Sequence, residues 1–290
     1  MPTQRIFTRN AAYQKFEVLK TNRNKRYRYG QFLVEGVRCV NGAASNGWEI
    51  VSLLYPGGRE LTQWARNVLH STRTELNYEL TDELMDELSE KDESSELLAI
   101  VRMKDGAEPP LSDNPLLALS DRPANRGNLG TLFRSCDGFG ADGLLITGHA
   151  ADVYDPEVVH SSMGSFFKVP FLRLSGNAEI DAYLSSLRSR FPRIKIVGTT
   201  SHDKTPLERV DLTGPVLFLI GNESDGLNQH FTELCDVLAT IPMSANSGAS
   251  SFNVSCAASV MLYEATRQRR PLSVAAATSP PRGREEGTAR

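Results

Sequence analysis

The sequence predicts an α/β protein: a mostly parallel sheet with helices on both faces, preceded by a smaller α/β module. Three observations carry this. From Leu116 onward, five apolar runs (LLALS, GLLIT, IKIVGTT, VLFLIG and VLATIPM) alternate with helix-like stretches over 130–139, 178–191 and 252–268. Continuous apolar strands separated by helices are the pattern of a parallel sheet covered on both sides. Ahead of them, the segment KDGAEPPLSDNP, 104–115, combines glycine, paired prolines and Asp/Asn into a turn-rich linker. The composition, 40% hydrophobic and 23% charged over 290 residues, is that of an ordinary globular chain of about two domains.

In chain order, residues 1–40 carry nine Lys/Arg against Glu17 and Glu35, a surplus of seven cations hidden by the overall charge of -3. Tyr27, Tyr29 and Phe32 interleave with these cations. Basic residues with aromatics fit a surface that grips phosphates and stacks on bases, and the same run also fits a solvated helix face. Residues 31–54 alternate apolar runs (FLVEGV, EIVSLLY) with turns, and a helical stretch follows over 61–70, which together read as a small α/β module. Between Glu75 and Leu98, ten acidic side chains face Lys91 alone. Leu84, Met85 and Leu88 recur there at helical spacing behind Thr81 as an N-cap, the signature of an amphipathic surface helix. The predicted organisation is 1–105 as the N-terminal unit, 106–115 as linker, 116–270 as the parallel-sheet unit, and 271–290, rich in Ala, Pro, Gly and Arg, as a disordered tail.

Several classes are set aside. No apolar run approaches the roughly 18 residues needed to cross a bilayer, and the polar first ten residues lack a signal-peptide core, so a cytoplasmic protein is expected. Cys39, Cys136, Cys235 and Cys256 lie far apart and read as reduced packing residues, and the five histidines show no ligand spacing, so no metal is expected. His202 alone lies beside a candidate ligand loop. Gly138, Gly140 and Gly143 form a literal G-x-G-x-x-G, but it ends a helix and enters a strand, the reverse of a dinucleotide fingerprint. Asn222-Glu223-Ser224 and Asn253-Val254-Ser255 match the glycosylation sequon incidentally, given no secretory signal.

Ligands of open parallel sheets sit beyond the carboxyl ends of the strands, so the loops after LLALS, VLFLIG and VLATIPM should hold the chemistry. They read DRPANRGNLGTLFR (121–134), GNESDGL (221–227) and IPMSANSGASSFNVS (241–255). In the first, Gly127 and Gly130 flank Asn128 ahead of Arg134, a spacing expected to bring an amide and a cation to one anion. Singly, each loop is explained by ordinary turn chemistry; together they mark one edge of one sheet.

This succession, N-x-G-x-x-x-R at Asn128, Gly130 and Arg134 followed by CDGFGADG, then G-N-E-x-x-G-L, then I-P-M with S-x-N-V-S, resembles the three motifs of the SpoU-type RNA ribose 2'-O-methyltransferases of the trefoil-knot (SPOUT) superfamily. The N-terminal region resembles that family's RNA-binding domain, with Asn22, Arg23 and Arg26 preceding GQFLVEGVR. The resemblance implies S-adenosylmethionine as cofactor, a C-terminal trefoil knot, and a homodimer with active sites at the subunit interface. It places Asn128, Arg134, Glu223, Ser251 and Asn253 at catalytic positions, and Thr199, Thr200, Gly221, Asn222, Ile241, Met243 and Phe252 around the cofactor. Arg23, Arg26, Arg28 and Arg38 are the expected RNA contacts. Asn125-Arg126 stands where the family commonly has Asp-Pro, ANSGAS lengthens the third motif, and Phe252 replaces a leucine. Two-domain members of the family often modify ribosomal RNA, and some thereby confer antibiotic resistance, which makes 23S ribosomal RNA the first expected substrate and tRNA the second. A relative that binds RNA without modifying it is the remaining alternative.

Overall fold

The computed structural model describes residues 2–89, 95–104, 106–200 and 204–270. The expected disordered tail and His202 lie outside the described residues.

Residues before the linker form a mixed five-stranded sheet in the order β1-β4-β3-β5-β2: β1 (Thr3–Ile6), β2 (Gln31–Glu35), β3 (Ile50–Pro56), β4 (Asn77–Leu80) and β5 (Leu98–Arg102). Helices α1 (Ala11–Thr21), α2 (Arg23–Tyr29), α3 (Val37–Ser45), α4 (Gln63–Ser71) and α5 (Asp82–Leu88) connect them. The acidic block holds the helix that the spacing of Leu84, Met85 and Leu88 predicts. Its helix, capped by the Thr81 hydroxyl on the Leu84 amide, is seven residues long, and Asn77–Leu80 and Leu98 belong to strands. In β4, Asn77 and Leu80 are buried while the intervening Tyr78 and Glu79 are half-covered.

After the linker comes a seven-stranded sheet, parallel throughout, in the order β10-β12-β9-β11-β6-β7-β8. Its strands are β6 (Leu116–Asp121), β7 (Gly143–Thr147), β8 (Phe171–Leu174), β9 (Lys195–Thr199), β10 (Thr205–Pro206), β11 (Val216–Ile220) and β12 (Val237–Thr240). Helices α6 (Arg126–Phe139), α7 (Pro156–Ser161), α8 (Asn177–Arg190), α9 (Gln229–Leu234) and α10 (Val254–Arg269) cover it. Each apolar run divides its side chains by period two. Val216, Phe218 and Ile220 enter one core while Leu217 and Leu219 enter another under α8, and Leu116 and Ala118 oppose Leu117 and Leu119 in the same way. A run buried on both faces has no polar alternation, which is why it reads as continuous apolar sequence.

The two sheets share a core. Phe32 and Val34 of β2 and Trp48 pack in one cluster with Phe133, Tyr154, Phe166, Phe167 and Phe171. The rings meet mostly edge to face at 4.9–6.3 Å between centroids, and the Trp48 indole donates 2.8 Å to the Phe167 carbonyl. Gly42 closes the seam, since a Cβ there would stand 3.0 Å from the Gly164 carbonyl oxygen. A second tie is ionic. Arg26 of α2, 2% exposed, meets Asp152 at 2.7 Å and Asp155, the N-cap of α7, at 3.1 Å, and donates to the Leu19 and Lys20 carbonyls. The Tyr27 hydroxyl donates to Asp152 as well. These contacts fix α2 against the loop that leads into α7, and α7 in turn packs on α6, where a Cβ on Gly130 would lie 2.5 Å from the Val158 carbonyl oxygen.

Candidate active site

The carboxyl ends of β6, β11, β9 and β12 are neighbours in the sheet, so the loops following them converge on one edge. Asn125 caps α6, its side-chain oxygen accepting 2.8 Å from the Asn128 amide, and Asn253 caps α10 by accepting from Ser255 and Cys256. Capping by Asn253 leaves its amide nitrogen to meet the first turn of α6: Asn253 Nδ2 donates 3.1 Å to Asn128 Oδ1. Asn128 Nδ2 donates 3.4 Å to Glu223 Oε1. The Glu223 carboxylate also accepts the backbone amides of Ala124 at 3.2 Å and Asn125 at 3.3 Å, so it holds the first loop in place. Ser255, buried, reaches Asn128 Oδ1 at 3.5 Å and Asn253 Oδ1 at 2.7 Å. Three loops from distant segments are thereby closed into one hydrogen-bonded ring.

Beneath the ring a second network joins the first two motifs. Arg122 has a left-handed backbone, φ 44°, unusual for a side chain with a Cβ. Its guanidinium spans buried Asp121 at 3.0 and 3.1 Å, its amide donates to Thr147 Oγ1, and its carbonyl accepts 2.9 Å from Asn222 Nδ2. Asn222 also pairs with Gly226 through both backbone groups and accepts from the Ser224 amide, so its side chain supports the loop. The turn is so tight that a Cβ on Gly221 would stand 2.3 Å from the Gly226 carbonyl carbon.

The residues expected around a cofactor surround this edge. Thr199 Oγ1 donates to the Leu219 carbonyl at 3.5 Å and the Thr200 amide to the Ala239 carbonyl at 3.1 Å, tying β9 to β11 and β12. Ile241 and Met243 are half-buried, and Phe252 is 43% exposed at the same rim. Backbone amides and carbonyls of three loops beside uncovered apolar side chains suit a ligand with a flat heteroaromatic ring and polar substituents.

Several expectations are corrected. Arg134 does not join Asn128: six residues of helix turn it about 120° away around α6 and lift it about 9 Å along the axis. It is exposed, and among the described residues it has no hydrogen bond or ion pair. Ser251 is exposed in the third loop and stands outside the ring, in which Ser255 takes part instead. Arg26 does not face solvent with Arg23, Arg28 and Arg38, because its charge is matched internally by Asp152 and Asp155. The other three are exposed, with Arg23 donating to the Ala150 carbonyl and lying 5.7 Å from the Tyr27 ring. Arg122, Asn125 and Ser255 are additional residues of the site. Asn125 was legible as an N-cap three residues before Asn128, but the helix was expected to begin only at Gly130.

Comparison with known proteins agrees with this geometry. Residues 115–263 match the SpoU rRNA Methylase family and residues 10–99 the SpoU L30e-like domain. The chain is 44% identical over 280 residues, 96% of each chain, to the 23S rRNA (uridine(2479)-2'-O)-methyltransferase of Streptomyces viridochromogenes. Among solved structures it is similar to the SpoU methyltransferase AviRb of S. viridochromogenes in complex with AdoMet, with a TM-score of 0.84 and 43% identity over 90% of this chain and 98% of that one. An RNA 2'-O ribose methyltransferase aligns with a TM-score of 0.78 and 29% identity over 92% and 99% of the two chains. By motifs, fold and sequence alike, this chain belongs to the SpoU rRNA methylase family.

Proposed function

We propose that the protein transfers a methyl group from S-adenosylmethionine to the ribose 2'-hydroxyl of a nucleotide in 23S ribosomal RNA. The observation that carries this reading is the ring of Asn128, Glu223, Asn253 and Ser255 beside the Gly221 turn, the half-buried Ile241 and Met243 and the exposed Phe252. The 23S rRNA methyltransferase activities named for its relatives direct it to that RNA.

The cofactor fits the third loop and the Gly221 turn. Apolar side chains would flank its adenine, and backbone groups of 199–200, 221–222 and 241–243 would take its polar atoms. Bound there, it supplies an electrophilic methyl group. A ribose hydroxyl is a poor nucleophile at neutral pH, so catalysis rests on alignment and on stabilising charge as the proton departs. The ring does the aligning, since it locks the first loop to the cofactor loops. Arg134 acts by gripping the adjacent phosphate and stabilising negative charge growing on the 2'-oxygen.

Because Arg134 points away from its own ring, we place it in the ring of a second copy, in the homodimer that the family resemblance implies. Val260 and Tyr263 of α10 are exposed, Tyr263 against the Phe139 ring, and supply an apolar surface for that contact. The N-terminal unit, 1–105, binds the RNA through Arg23, Arg28 and Arg38, and 116–270 forms the catalytic unit, with the trefoil-knotted path of its family. Among the described residues no helix is long and apolar enough to cross a membrane, and action on ribosomal RNA places the protein in the cytoplasm.

The test offers methyl-labelled S-adenosylmethionine with ribosomal subunits, naked 23S rRNA and tRNA in turn, followed by digestion to nucleosides. Label in a 2'-O-methylnucleoside of 23S rRNA is expected; label confined to tRNA, or none, overturns the proposal. Expression in a susceptible bacterium, scored for growth on ribosome-targeting antibiotics, tests a resistance role. Mixing Arg134→Ala with Asn128→Ala protein tests the shared site: activity should reappear in the mixture if each site draws on both chains.

A further inference from the structure

A cleft of about 420 Å³ opens between the α1–α2 junction and the starts of α6 and α7, walled on one side by Thr21 and Arg23 and on the other by Asn125, Arg126, Asp155 and Glu157. We infer that this cleft seats the nucleotide next to the methylated ribose, with Arg126 and Arg23 holding its phosphates. The inference rests on the RNA methyltransferase reading above and adds the residues that dock the flanking nucleotide.

One loop connects cleft and active site. The amides of Ala124 and Asn125 face inward to Glu223, and the Asn125 side chain caps the helix that carries Asn128. The other side of the same three residues, Ala124, Asn125 and Arg126, forms the cleft wall. On this inference a strand whose ribose lies at Asn128 crosses the start of α6 and brings its next phosphate to Arg126. The volume lies within the range of pockets that hold small ligands, about 300–1,000 Å³.

The charges of the cleft divide into locked and exchangeable ones. Arg26 neutralises Asp152 and Asp155 at 2.7 and 3.1 Å and is buried. Arg126 is about half exposed and, among the described residues, makes only long contacts, 3.4 Å to Asp155 and 3.5 Å to Glu157. Asp155 is already satisfied by Arg26 and by capping the Glu157 amide. Among the described residues Arg23 donates one bond, to the Ala150 carbonyl, and rests near Tyr27, which leaves the rest of its fork free of them. Two such forks facing one cleft suit phosphodiester oxygens, which they bind bidentately. Glu157 is then the built-in competitor that RNA must displace.

The experiment measures binding of a short synthetic RNA containing the target site, separately from methyl transfer, for wild type, Arg23→Ala, Arg126→Ala, the double variant and Glu157→Gln. Each arginine removed should weaken binding about tenfold and flatten the slope of log affinity against log salt by about 0.7. Thermal midpoints and S-adenosylmethionine affinity should stay unchanged, and Glu157→Gln should bind RNA more tightly. Replacing the phosphates flanking the target ribose with methylphosphonates should weaken wild type similarly and the double variant hardly further. Unchanged affinity and slope in the double variant, or equal methylphosphonate losses in both proteins, would overturn the inference. A wild type that binds this RNA but never methylates it would instead count against the proposed reaction, leaving the cleft to be judged by the slopes.

Discussion

Replacing Arg26 by alanine should destabilise the protein more than any other arginine substitution in the N-terminal unit. The guanidinium is 2% exposed and makes five contacts: Nε to Asp152 at 2.8 Å, Nη2 to Asp152 and Asp155 at 2.7 and 3.1 Å, and Nη1 to the Leu19 and Lys20 carbonyls at 3.1 and 3.0 Å. Its removal strands Asp152, 4% exposed, with only the Tyr27 hydroxyl and the Tyr154 amide as partners among the described residues, and two carbonyls lose the Arg26 donor. Breaking a buried pair from one side costs about 3–5 kcal/mol. For a chain of this size that lowers the melting temperature by roughly 10 °C. Urea unfolding followed by fluorescence of Trp48, which sits in the shared core, reads the loss directly. Arg26→Ala with Asp152→Ala should lose less than the sum of the single variants, because the second change removes the stranded carboxylate. Arg26→Lys should recover only part, since one ammonium cannot span two carboxylates and two carbonyls at fixed angles. A loss under about 1 kcal/mol in Arg26→Ala would show that water replaces the guanidinium and that the ionic tie between the two sheets is not structural.

Three further outcomes are expected. Arg134→Ala should lower kcat by about 10²–10³-fold with cofactor affinity and melting temperature unchanged, as the exposed side chain has no intramolecular partner among the described residues; near-normal turnover would refute its role. Gly221→Ala should abolish cofactor binding measured by calorimetry, since its Cβ would meet Gly226 at 2.3 Å, and wild-type affinity would mean that the turn can shift without harm. Native labelling with iodoacetamide at pH 8, mapped by mass spectrometry, should modify Cys256 first: it is exposed, Cys39 is buried, and burial pushes the Cys235 and Cys136 thiols up to about 11 and about 12. S-adenosylmethionine should slow that reaction.

The parallel sheet was legible because a strand covered on both faces leaves an unbroken apolar run, and β7 coincides with GLLIT at both ends. The site loops were legible because glycine and asparagine are needed where the chain turns tightly at strand ends. Less legible was what depends on partners distant in sequence. The basic stretch looks uniform, yet within α2 Arg26 turns inward while Arg23 and Arg28 turn outward, and the carboxylates that decide this lie 126 and 129 residues away. Counting residues between Asn128 and Arg134 suggested one anion site, whereas the helical angle separates them. The turn-rich linker suggested two units that could be cut apart. The aromatic cluster joining Phe32 and Trp48 to Phe166 and Phe167 means that removing residues 1–104 would uncover a broad apolar face on what is left, so such a truncation is a poor test of RNA binding.

The ring centred on Asn128 bears on how this active site tolerates change. Its members come from the starts of α6 and α10 and from the turn after β11, and their bonds to one another do not pass through residues 245–250. That stretch loops outward between Met243 and Asn253 and is exposed along its length. Insertions and deletions there leave the distance between the two helix caps untouched. The molecule thus has a rigid chemical frame beside a segment of adjustable length, and the grip on the methyl donor can be retuned by lengthening that segment while the geometry at the ribose is preserved.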